Sequence, residues 1–244
     1  MKALLLALTL FASPAFAVST SSPTVLAAAE RVDLALVLAV DVSESIDQER
    51  YTLQMQGLAT ALASADVQSS MLAGPHRSML VAVVQWSNHP HVTLPWTLLT
   101  SQVDVAKLAA RLRTMRRADE GFTCMSVALR SIADKLFTQL PIPAERMVVD
   151  VSGDGQDNCN PEESVDHVRD DLVAAGITVN GLPILEGDEA DTLEDWYRDH
   201  VIGGQNAFLL PAAGFTDFER AIRRKFVTEI ALRACPDCVR RASR

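Results

Sequence analysis

The sequence predicts a doubly wound α/β domain with a mostly parallel, six-stranded sheet and helices on both faces. Three observations carry that expectation. Six β-like runs alternate with helical segments along the chain. The central runs, such as Leu34 to Val40, are apolar at every position, as strands covered on both faces must be. Short oxygen-rich segments stand at the carboxyl ends of two of these runs, where doubly wound sheets place their ligands.

The first strand spans about 33–40, and a helix over about 47–65 follows, with Tyr51, Met55, Leu58 and Leu62 forming one buried stripe at helical spacing. Ser78 to Trp86 is the second strand. Val92 to Leu99 is the third, after a turn containing Pro90, and so short a connection fits a hairpin better than a crossover. His89 and His91 lie in that turn; with Pro90 between them and no carboxylate or thiol nearby in sequence, they read as exposed loop residues rather than a metal pair. Val105, Leu108, Leu112 and Met115 mark the next helix. After the polar break at 116–121, another helix begins near Thr123 and buries Met125, Ala128, Leu129, Ile132, Leu136 and Phe137.

Arg146 to Val151 is the fourth strand, ending in Ser152-Gly153-Asp154-Gly155. Asn160-Pro161-Glu162-Glu163 reads as a capping box opening a helix to about 174, which Gly176 closes. Ile177 to Leu182 gives the fifth strand, Asp191 to His200 a helix, and Ala207 to Leu210 the sixth strand. Phe215, Phe218, Ile222, Phe226 and Ile230 build the last helix. The acidic cluster Glu186, Asp188, Glu189, Asp191, Glu194 and Asp195 lacks the spacing of an EF-hand loop and reads as a solvated loop.

At 244 residues and 48% hydrophobic content, the chain suffices for one α/β domain with a substantial core. A net charge of −9 argues against binding nucleic acid or anionic lipid and leaves proteins or small molecules as partners. Lys2, the apolar stretch Ala3 to Ala12 and Ala15-Phe16-Ala17 have the layout of a secretory signal cleaved after Ala17. Pro14 interrupts the apolar run too early for a membrane anchor, so no membrane insertion is expected once the signal is removed. The expected organisation is a signal peptide (1–17), a lead-in (18–32), the domain (33–232) and a tail (233–244), in a periplasmic or secreted protein. Four cysteines in an exported chain point to two disulfides with three possible pairings. Cys235 and Cys238 are close enough to pair with each other, leaving Cys124 for Cys159.

Chemistry concentrates in three segments. Asp41, Ser43 and Ser45 follow the first strand with alternate residues in register, Thr123 stands at a helix start, and Asp154 follows the fourth strand. Each has a plain structural role available: Ser45 with Gln48 as a capping box, Thr123 as a helix cap, Asp and Ser as turn formers. Together they offer two carboxylates and three hydroxyls at one sheet edge. These are hard donors, suited to Mg²⁺ or Mn²⁺ rather than zinc or copper, with a coordination position left for a ligand. Asp150 shares the alternation of Ser152 and Asp154. It stands either as an acceptor behind the ligands or as half of an ion pair with an arginine.

Asp-x-Ser-x-Ser at 41–45, Gly-x-Thr at 121–123 and Gly-Asp-Gly around Asp154 resemble, in order and placement, the metal-ion-dependent adhesion site of von Willebrand factor A-type domains. The resemblance covers about residues 33–232 and implies that family's Rossmann-like fold. It implies Ser43, Ser45 and Thr123 as direct ligands, Asp41 and Asp154 as ligands directly or through water, and a sixth ligand from an acidic side chain of a protein partner. It further implies a binding module without catalysis of its own. The chain is most similar to a group of exported bacterial proteins carrying this domain almost alone, in which Asp-Val-Ser-Gly-Asp-Gly (150–155) is typical. Two departures stand out: Ser-Gly-Asp-Gly where many relatives have Thr-Asp-Gly, and Cys124 directly after Thr123, where a bond to Cys159 would tie two ligand loops together. A metal-assisted hydrolase or phosphatase is the alternative from another class. It lacks a histidine base placed near Ser43 or Ser45, a Gly-x-Ser-x-Gly elbow and a phosphate-binding Gly-Lys loop. A scaffold with a vestigial metal site is the third possibility.

Overall fold

The computed structural model describes residues 30–159 and 162–234, so the signal segment, most of the lead-in, and Cys235 and Cys238 lie outside the described residues. Within them, five strands form one sheet in the order β3-β2-β1-β4-β5. Strand β1 (Leu34–Asp41) lies at the centre, parallel to β2 (Met79–Trp86) on one side and to β4 (Met147–Gly153) on the other. Strand β5 (Ile177–Pro183) extends the parallel set, and β3 (Pro90–Leu99) returns antiparallel against β2 as a hairpin.

Alternation along β1 feeds two cores. Leu34, Leu36, Leu38 and Val40 pack beneath α1 (Gln48–Ala63), α3 (Gln102–Arg113) and α7 (Phe218–Ala234), whose inward residues include Tyr51, Leu58, Leu108, Phe218 and Phe226. Val37 and Ala39 face the other way, toward α4 (Met125–Ser131), α5 (Val165–Ala174) and the segment that follows α6 (Ala190–Trp196), through Met125, Leu129, Val168, Leu172 and Tyr197. Each such buried aliphatic or aromatic side chain contributes about 1.5–3 kcal/mol over its exposed state. A short helix, α2 (Ala65–Met71), follows α1 and packs against α7. No helix among the described residues is long and apolar enough to cross a membrane.

The structure departs from the sequence expectations at several edges. Residues 207–210 do not form a sixth strand: this stretch meets β5 at an isolated parallel bridge, Gly181 with Leu209, and a second bridge, Ile184 with Ala212, lies just beyond both. Pro183 and Pro211 carry no backbone donor, so a continuous ladder is not available there. Asp47, not Ser45, caps α1, its carboxylate accepting from Arg50 N at 2.8 Å. Thr123 does not cap α4, whose N-cap is Cys124. Helix α5 starts only at Val165 after Ser164; Asn160 and Pro161 of the expected capping box lie outside the described residues, and Glu163 is instead held by Arg130 Nε at 2.9 Å.

Candidate functional site

The three oxygen-rich segments meet at the carboxyl edge of β1 and β4, the neighbouring central strands of the sheet. Asp41 is the last residue of β1 and is fully buried. Its Oδ1 accepts from the backbone N–H of Ser43 at 2.8 Å, which turns the loop back toward the strand end. Ser43 Oγ lies 3.2 Å from Ser45 Oγ, and Ser45 Oγ donates to Asp154 Oδ1 at 2.7 Å, so the first and third segments touch directly.

Thr123 is held to the loop after β4. Its N–H donates to Asn158 Oδ1 at 2.9 Å, its carbonyl accepts from Asn158 N at 3.0 Å, and the Cys124–Cys159 disulfide closes the same pair of loops with Cα atoms 4.9 Å apart. A Cβ added to Gly155 would stand 3.7 Å from Thr123 Oγ1, which puts that hydroxyl over the residue next to Asp154. Asp41, Ser43, Ser45, Thr123 and Asp154 thus stand together at this edge of the sheet.

Two arginines that the sequence reading did not single out organise the first loop. Arg117 donates to the carbonyls of Val42 at 3.0 Å and Ser43 at 2.9 Å, and Arg50 donates to that of Ser45 at 2.6 Å. With these carbonyls satisfied by the arginines, the Ser43 and Ser45 hydroxyls are not needed as donors to them. Arg50 also pairs with Glu186 at 3.0 Å. Glu186 in turn accepts from Phe215 N at 3.0 Å, and Glu189 accepts from Gln156 N at 2.6 Å. The acidic segment after β5 is thus in part a packed rim of the site, because backbone donors and Arg50 draw two of its carboxylates inward.

The electrostatics are unbalanced. Burial, and then the charge of Asp154, push the Asp41 carboxyl up to about 7. Burial likewise raises Asp154, against the opposing effects of Ser45 and Arg50. Asp41 Oδ2 and the Tyr197 hydroxyl are both buried without a hydrogen-bond partner among the described residues. Both crowd Gly153: a Cβ there would meet Asp41 Oδ2 at 2.7 Å and Tyr197 Oη at 3.0 Å. Two carboxylates raised chiefly by burial, three hydroxyls and an unpartnered buried oxygen form a donor set whose deficit is positive charge. It fits a hard divalent cation. Tyr197 lay in a predicted helix, and no sequence signal marks its hydroxyl as facing Asp41.

Asp150 stands apart from the site. It lies on the α7 side of β4, where the buried Lys225 ammonium pairs with its Oδ1 and Asn180 Nδ2 donates at 3.4 Å. Neither expected role holds: the partner is a lysine rather than an arginine, and at about 3.3 Å per residue the carboxylate is up to about 13 Å back along the strand from Asp154. Among the described residues, Glu163, His167 and Asp171 form another acidic group. Arg130 already bridges its two carboxylates.

The strand order with β1 central and helices on both faces is the fold of solved von Willebrand factor A-type domains. The mussel byssus proximal thread matrix protein 1, in a form with a zinc-occupied MIDAS motif, aligns with a TM-score of 0.61 at 19% identity, over 82% of this chain and 48% of that one. The von Willebrand factor type A structure from Catenulispora acidiphila aligns at 0.57 with 16% identity, over 82% and 43%. The vWF domain of the type V pili tip protein Mfa5 from Porphyromonas gingivalis aligns at 0.55 with 10% identity, over 82% and 96%. The chain spans about half the length of the mussel protein. No curated protein sequence matches it. The chain belongs to the family described as "Protein of unknown function (DUF1194)", whose model matches residues 31–234.

Proposed function

We propose that this chain is an exported protein-binding module, without catalysis of its own, that holds Mg²⁺ or Mn²⁺ and engages a carboxylate of its partner there. The observation that carries the reading is the convergence of five hard oxygen donors from three loops around two buried carboxylates, one of whose oxygens is unpartnered. Asp41, Ser43, Ser45, Thr123 and Asp154 would hold the ion. When bound, it supplies a Lewis-acidic position open to an incoming carboxylate. Arg50 and Arg117 fix the loop, and the disulfide fixes Thr123 relative to the loop that carries Asp154. The similar solved structures support the reading by their names, which include a metal-occupied motif, a thread matrix protein and a pilus-tip protein. Export to the periplasm or beyond rests on the leader at 1–17.

Thermal unfolding with and without metal tests this. Mg²⁺ or Mn²⁺ should raise the Tm of the wild type, by the equivalent of about 2.7 kcal/mol at a concentration 100 times Kd. Asp41→Ala should abolish the shift. Identical responses of both proteins to metal and chelator would overturn the assignment.

A further inference from the structure

Phe122 stands between Gly121 and the proposed ligand Thr123, and its side chain is 65% exposed. The other exposed large hydrophobics among the described residues are Val92 and Val103, so Phe122 is both the most exposed and the aromatic of the set. Single exposed apolar residues need no explanation in general. Here the surroundings supply one.

The loop that carries Phe122 is immobilised on both sides. Its own N–H donates to Asn88 Oδ1 at 2.6 Å, and the carbonyl of Gly121 accepts from Glu44 N at 2.8 Å. Thr123 is pinned by Asn158, and Cys124 by its disulfide to Cys159. The fit is close enough that a Cβ on Gly121 would fall 2.5 Å from the Asn88 side chain, so a bulkier residue there would displace the amide that holds Phe122 N. A ring held this way loses little further backbone freedom on binding, which is the property of an aromatic anchor in an interface. Asp119 and Glu120 directly precede Gly121 with strongly exposed side chains, Glu120 lying 3.5 Å from Arg117 and Asp119 3.8 Å from His91, and Glu44 is exposed on the facing loop, so carboxylates outnumber the arginine there.

From this geometry we infer that the partner presents a single acidic side chain with an apolar side chain beside it in the same segment, the carboxylate entering the metal site and the apolar group packing on Phe122. A run of acidic residues is disfavoured by the exposed Asp119 and Glu44 carboxylates. The inference rests on the metal-site reading proposed above.

Selection from a random-peptide phage library on the immobilised exported chain tests it, in Mg²⁺ and in chelator, followed by titration of synthetic copies of the selected peptides. The expected result is Mg²⁺-dependent peptides with one Asp or Glu and an aromatic or aliphatic residue within two positions. Phe122→Ser should weaken these by about tenfold or more, and Val103→Ser, at an exposed apolar site on α3, should not. Mn²⁺ titration of the peptide-free proteins is the second readout. Peptides that require Mg²⁺ but lack the apolar neighbour, carry acidic runs or bind Phe122→Ser as well as wild type would overturn the inference and leave the metal site standing. A wild type that takes up no Mn²⁺ would remove the metal reading and this inference together.

Discussion

Ser45 Oγ donates to Asp154 Oδ1 at 2.7 Å across a sequence separation of 109 residues, and this one bond joins the loop after β1 to the loop after β4. It places a hydroxyl and a carboxylate from different segments at one point on the sheet edge. Asp154→Ala removes both a charge and this link. Its Mn²⁺ affinity is expected to fall by more than the roughly 10- to 100-fold typical of residues that merely support ligands. Ser45→Ala should fall by less, because the carboxylate remains. Mn²⁺ electron paramagnetic resonance titration measures both.

The Cys124–Cys159 bond closes a loop with a sequence separation of 35 at the same site. Chain entropy assigns such a loop about 4 kcal/mol of stability. Replacing both cysteines by serine should lower the unfolding free energy by about that amount in urea. Metal affinity should fall with it, since the Asn158 hydrogen bonds then hold Thr123 to the loop after β4 without the covalent tie.

Gly153 tolerates no side chain without displacing Asp41 or Tyr197. Gly153→Ala is expected to cost about 1–3 kcal/mol by overpacking and to weaken metal binding as Asp41 shifts. Tyr197→Phe keeps the ring and removes a buried hydroxyl that has no partner among the described residues, so in chelator its Tm should equal or exceed that of wild type.

Behind the site, Lys225 and Asp150 pair beneath α7 with Glu229, Asn180 and Arg146. Lys225→Met leaves two buried carboxylates with less counter-charge and is expected to destabilise by about 3–5 kcal/mol. Asp150→Asn should also lower stability and leave the Mn²⁺ affinity unchanged, because Asp150 points away from the ligand loops. Urea unfolding paired with Mn²⁺ titration separates the two effects.

The same cluster predicts a pH dependence. Burial and the charge of Asp150 raise the Glu229 carboxyl, against Lys225 and Arg146. With a folded pKa above the unfolded one, its contribution is complete below the unfolded value, near 4.3, and is lost as pH rises through the folded value. Glu229→Gln does not titrate there, so its stability relative to wild type should improve from pH 4 toward pH 7. Urea unfolding across that range is the check, and a relative stability that moves the other way contradicts the burial of this carboxylate.

What the sequence determined by itself was the layered fold and the oxygen-bearing side chains at one edge of its sheet. Continuous apolar runs separated by helical periodicity specify a parallel sheet covered on both faces, and strand-end Asp and Ser mark its carboxyl edge. Those are local patterns, legible because burial and backbone geometry act residue by residue. Tertiary structure alone decided the rest. The hydroxyl of Ser45 goes to Asp154 instead of capping α1, and Asp150 goes to Lys225. Arg50 and Arg117 secure the loop carbonyls, and Glu186 and Glu189 turn inward from a segment that reads as solvated. In each case, which partner a polar side chain finds depends on the three-dimensional meeting of distant segments. A buried polar group must be satisfied by whatever the fold brings within about 3 Å, and no local pattern encodes that.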